Sequence, residues 1–85
     1  MKINPMYSLK SLGGKSIIIS ENTMHLDGIL TLNDTAEFIW QKIEEGAETE
    51  EIVSHLADEC NVLPDDIRTE VYGFINKLKT AGIIE

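Results

Sequence analysis

The stretch Leu32-Asn33-Asp34-Thr35-Ala36-Glu37-Phe38-Ile39-Trp40 constrains this chain more than any other. It joins the end of a short apolar strand to the start of an amphipathic helix. Asn33 or Asp34 can accept a hydrogen bond from the first free N–H groups of that helix, as N-cap residues do. Ala36, Ile39, Trp40 and Ile43 then recur at i, i+3, i+4 and i+7, which places them on one apolar face. The single Trp of the chain therefore belongs to a buried helix face that packs back on the strand before it.

Eighty-five residues make one domain with a small core and a thin stability margin. The net charge of −8 opposes a nucleic-acid partner, because such binding rests on Lys and Arg neutralising phosphates. One cysteine, Cys60, permits no intrachain disulfide. The first residues, Met1-Lys2-Ile3-Asn4-Pro5, lack the apolar core of a signal peptide, and Ile17-Ile18-Ile19 is too short to cross a bilayer. The expected location is cytoplasmic.

Tyr7 to Leu12 alternates apolar and polar residues, the period of a half-buried strand. Gly13-Gly14 is a hairpin turn, and Lys15 to Ser20 returns as a second strand with three β-branched Ile. After the Asp27-Gly28 turn, Ile29 to Leu32 forms a third strand. Three helices follow. The first runs from Asp34 to Glu44 and stops near Gly46. The second has Thr49 as N-cap, Glu50 and Glu51 in its first turn, and Ile52, Val53, Leu56 and Cys60 on its buried face. The third starts at Pro64 with Asp65 and Asp66, and ends with Lys77, Lys79 and Gly82. Ile83-Ile84 packs back on the core. The expected fold class is α+β, winged helix-turn-helix-like, with a small three-stranded antiparallel sheet followed by three helices.

No catalytic constellation stands out. His25 and His55 lie thirty residues apart without ligand spacing around either, so no metal site is expected. Cys60 has no His near it in sequence and reads as a buried structural thiol rather than a nucleophile. Gly13-Gly14 is not followed by the Gly-Lys-Ser/Thr of a phosphate loop. The third helix carries more information. Ile67, Val71, Phe74 and Leu78 fall on one face and read as core. Beside them runs Arg68, Tyr72, Ile75 and Lys79. This stripe is either an amphipathic boundary that covers the core edge or one wall of a peptide groove. The third strand, Ile29-Leu30-Thr31-Leu32, supplies the other wall. It lacks the charge, Pro or bulge-forming Gly that blunt a sheet edge, so a peptide strand can add to it. The alternative is an edge covered by the N-terminal segment or by a second copy in a homodimer.

The chain resembles the PqqD-like family, the precursor-peptide recognition elements. The resemblance rests on Leu9 to Ile19, Gly28 to Ala36, Phe38-Ile39-Trp40, Glu45 to Ile52 with Leu56, and Val71 to Ile84, in that order and at consistent spacing. Family members often carry an Asp before the apolar run of the third helix, where this chain has Glu70, which keeps the charge. The resemblance implies no catalysis and no cofactor. It implies binding of the leader segment of a ribosomally made precursor peptide and its presentation to a modifying enzyme. That enzyme is often a radical S-adenosylmethionine enzyme, a cyclase or a leader protease. In the family the leader adds as a strand to the third strand and lies across the third helix. By position this selects Ile29, Leu30, Thr31 and Leu32 with Arg68, Tyr72, Ile75 and Lys79. Two rivals stand beside this reading: a DNA-binding winged helix and a dimerising accessory subunit. Asp65 and Asp66 oppose the first, since they would repel phosphate at the start of the recognition helix.

Overall fold

The computed structural model describes residues 1–20 and 30–85. The architecture is α+β, an antiparallel sheet followed by three helices. Strands β1 (Tyr7–Leu12) and β2 (Lys15–Ser20) form a hairpin in which Leu12 faces Lys15 and Tyr7 faces Ser20. Gly13 and Gly14 both take positive φ, 57° and 81°, which a two-residue turn of the favoured hairpin twist demands. A three-residue strand, β3 (Leu30–Leu32), runs antiparallel to β2 with Ser16 opposite Leu32. Ile29, the first residue expected in that strand, lies outside the described residues. So do His25, the Asp27-Gly28 turn and the whole connection 21–29.

Helices α1 (Asp34–Glu44), α2 (Thr49–Cys60) and α3 (Pro64–Thr80) complete the chain. Asn33 caps α1, its side-chain oxygen accepting from the Ala36 N–H at 2.8 Å. Each helix ends on the same device. Ala47 N–H reaches the Lys42 carbonyl and Gly46 N–H reaches Ile43; Val62 reaches Ala57 and Asn61 reaches Asp58; Ile83 reaches Leu78 and Gly82 reaches Lys79. These paired bonds close off orphan carbonyls and need a left-handed residue at the turn. Gly46 and Gly82 supply it, and Asn61 does so with φ 55°. The last of the three turns swings Ile83 and Ile84 onto the core, where Ile84 bridges to Ile3. Asn4 N–H donates to Ile83 O and Glu85 N–H to Lys2 O, so both ends of the chain are tied together.

The core gathers Ile18 and Leu32 from the sheet with the inner faces of all three helices. Trp40, 1% exposed, is the largest of its fully buried side chains and shares the cluster with Ile39, Ile43, Ile52 and Val53. Two sequence expectations for α2 are corrected. Its N-cap is Glu48, not Thr49: the Glu48 N–H donates to the Glu51 carboxylate at 3.2 Å, one half of a capping box. Thr49 becomes the first helical residue and turns its hydroxyl to Met1 Sδ. Cys60 is exposed, and Ala57 takes its place in the core. The final turn of α2 runs past the packed layer, so periodicity alone extends the buried face one turn too far.

Candidate functional site

The two walls expected from the sequence are β3 and one flank of α3. β3 is an outer strand, since the sheet order is β1-β2-β3. Its last residue, Leu32, is buried and anchors the strand to the core. Along α3 the buried stripe is Ile67, Val71, Ile75 and Leu78. Ile75 is 2% exposed, so it is a core residue and not a groove wall. Phe74, expected in the core, is half-buried and packs at its border. The two neighbours have exchanged roles because both sit at the rim of the apolar arc. Packing against α2 pulls the 67/71/75/78 side inward and leaves Phe74 on the opposite border.

Two of the remaining members of the stripe, Arg68 and Tyr72, face α2. Glu50, in the first turn of α2, accepts from Arg68 Nη2 at 3.0 Å, from Arg68 Nε at 3.3 Å and from Tyr72 Oη at 2.7 Å. Arg68 Nη1 also contacts Asp65 one turn earlier. The Arg68 guanidinium, then the Tyr72 hydroxyl, hold the Glu50 carboxyl below its ordinary value. In return Glu50 raises the pKa of Arg68 and of Tyr72. Arg68 is therefore committed to two carboxylates and clamps α3 to α2. Lys79 is exposed and pairs with no carboxylate among the described residues.

This clamp has a pH signature. A carboxylate with a lowered folded-state pKa stabilises the fold above its unfolded pKa, and that contribution is lost as pH falls through the folded value. Glu50→Gln should lower the melting temperature at neutral pH. The gap to the wild type should close as the pH is taken below the ordinary carboxylate range. Melting curves across pH 7 to 2.5 check it, and a gap that persists unchanged at the acid end would show that the clamp adds nothing through its charge.

On its other flank α3 meets the junction between β3 and α1. Glu70 and Phe74 face Asn33, Thr35, Ala36 and Ile39 across a cleft of about 160 Å³. Sequence reasoning missed this flank as a site. The available signal was the capped junction itself, whose Asn33, Thr35 and Ala36 lie on the surface where the strand turns into the helix. No group of three or more His, Cys, Asp or Glu among the described residues could hold a metal ion, and His55 is exposed. Among the described residues no helix is long and apolar enough to cross a membrane.

The described residues thus combine a small sheet with an outer strand, three helices and a cleft where strand meets helix. The chain belongs to the PqqD family: the model of coenzyme PQQ synthesis protein D matches residues 22–84. No curated protein matches it in sequence. Two solved structures share its fold. One is TbiB1 in complex with the TbiA(beta) leader peptide, at 22% identity and a TM-score of 0.83, covering 100% of this chain and 95% of that one. The other is lasso peptide synthetase B1 complexed with the leader peptide, at 21% identity and a TM-score of 0.82, covering 99% and 95%.

Proposed function

We propose that the chain is a non-catalytic recognition element that binds the leader segment of a ribosomally made precursor peptide and presents it to a modifying enzyme. One observation carries the reading: an outer strand, β3, stands beside a cleft walled by α3, in a PqqD-family fold shared with two proteins solved with leader peptides. In winged helix-turn-helix terms the sheet is the wing and α3 the third helix. The leader pairs its backbone with Leu30–Leu32 and sets apolar side chains against Phe74 in the cleft beside Glu70. Arg68 and Tyr72 on the flank turned to α2, with exposed Lys79 further along α3, form a secondary contact for a peptide that continues across α3. The enzyme partner is of the radical S-adenosylmethionine, cyclase or leader-protease class.

The test is a titration of the precursor peptide encoded beside this chain, followed through backbone amide shifts. A leader that binds should move the amides of Leu30–Leu32 and Phe74, with micromolar affinity, roughly −8 kcal/mol. Duplex DNA at low salt should move none, since Asp65 and Asp66 open α3. Amide shifts with DNA and none with the leader would reverse the assignment.

A further inference from the structure

A second feature lies on the far side of the sheet from β3. A cavity of about 750 Å³ opens between the N-terminal segment, β1 and the end of α1, lined among others by Ile3, Tyr7, Ser8, Leu9, Trp40 and Ile43, with Lys2 and Glu44 as its charged residues. Among the described residues two buried side-chain polar atoms have no hydrogen-bond partner, Ser8 Oγ and Trp40 Nε1. Both belong to residues that line this cavity. An indole N–H can only donate, and buried donors are rarely left without an acceptor. Beside the cavity runs β1, the other outer strand, and no described strand pairs with its free edge.

The charge of the chain is divided at the same place. Residues 1–20 contain Lys2, Lys10 and Lys15 and no Asp or Glu, whereas all 15 acidic residues follow. Lys2, Lys10 and Lys15 are exposed. The hairpin is thus a basic segment on an acidic domain, with Lys10 on the β1 edge and Lys15 on the central strand β2. Lysines on an edge oppose pairing of two identical strands, because like charges meet. The same lysines attract an extended segment of opposite charge.

We propose that the β1 edge and the adjoining cavity form a second docking site, separate from the β3 groove, for an extended acidic segment of a partner protein. The segment pairs with β1 and sets an apolar side chain among Leu9, Ile43 and Ile3, against the wall that holds the Trp40 ring. Its Asp or Glu residues face Lys10 on that edge, with Lys15 one strand further in. Because β2 stands between the two outer strands, a peptide on β3 and a segment on β1 can be held together. The proposal does not depend on what β3 binds.

The test uses the full chain, labelled with ¹⁵N, and two short capped synthetic peptides. One alternates Leu and Thr between Asp residues; its twin has Lys in place of Asp. The chain has a single Trp, so the Trp40 indole N–H gives one unambiguous signal. The acidic peptide should shift that signal and the Tyr7–Leu12 amides saturably at low salt. Its twin should bind about fivefold more weakly or less well still, a difference that added salt erases. Lys10→Glu with Lys15→Glu, exposed positions that leave the fold intact, should reverse the preference. Equal binding of the twins, shifts confined to Leu30–Leu32, or no shift of the Trp40 signal at millimolar peptide would each overturn the proposal.

Discussion

Trp40→Ala is expected to lower the stability of the domain by about 3–5 kcal/mol, the usual cost of emptying a large aromatic site in a packed core. Trp40 is 1% exposed, and Ile39, Ile52 and Val53 of the same core cluster are each at 1% or below. These residues come from helices joined by tight capped turns, so they cannot collapse freely into the space left behind. A domain of this size has a total stability of only about 5–10 kcal/mol. The loss should therefore reduce the melting temperature by roughly 15 °C or more. Thermal unfolding followed by circular dichroism measures it. Trp40→Phe keeps a ring in the core and should cost distinctly less. A Trp40→Ala protein that melts within a few degrees of the wild type would show that the ring is not the keystone of the core.

The parts of this fold that were legible in the sequence are those fixed by local chemistry. Gly13-Gly14 announces a two-residue turn because both positions need positive φ, and both have it. Asn33 announces the start of α1 because its short side chain reaches back to the Ala36 N–H. Pro64 and the paired Asp65 and Asp66 mark the start of α3 for the same kind of reason. The N-cap of α2 shows the limit of such rules. Thr49 is the better capping residue by composition, yet the bond from the Glu48 N–H to the Glu51 carboxylate moves the boundary by one residue.

Less of the candidate site was legible, because it depends on which border of a helix another element chooses to cover. On α3 the sequence offers Phe74 and Ile75 on either side of one apolar arc. Contact with α2 decides between them, burying Ile75 and leaving Phe74 at the cleft. Likewise nothing in the spacing of Arg68 and Tyr72 reveals that Glu50, 22 residues before Tyr72, holds both. A residue that looks like a free cation beside a groove is instead part of a helix clamp. The cavity under β1 was invisible for a third reason: its lining comes from the chain start, a strand and the end of a helix, brought together only by folding.

The flank exchange on α3 yields the sharpest binding prediction. If the leader sets its apolar anchor in the cleft beside β3, Phe74→Ala should weaken precursor binding by about tenfold or more, equivalent to roughly 1.4 kcal/mol or more. Tyr72→Ala, on the α2-facing flank, should weaken it by only about two- to threefold, through the far end of the peptide. Glu70 lines the same cleft and is exposed, so Glu70→Lys tests the site without touching the core. It should alter affinity in a salt-dependent way, strengthening acidic leaders and weakening basic ones, because exposed charges are screened within about 10 Å at 0.1 M salt. Calorimetric titration of the precursor against the three variants, with their melting temperatures as a check on folding, decides between the flanks. The opposite order, with Tyr72→Ala severe and both Phe74→Ala and Glu70→Lys silent in folded protein, would move the anchor to the Arg68–Tyr72–Lys79 side. The leader would then have to displace Glu50 from Arg68 and Tyr72.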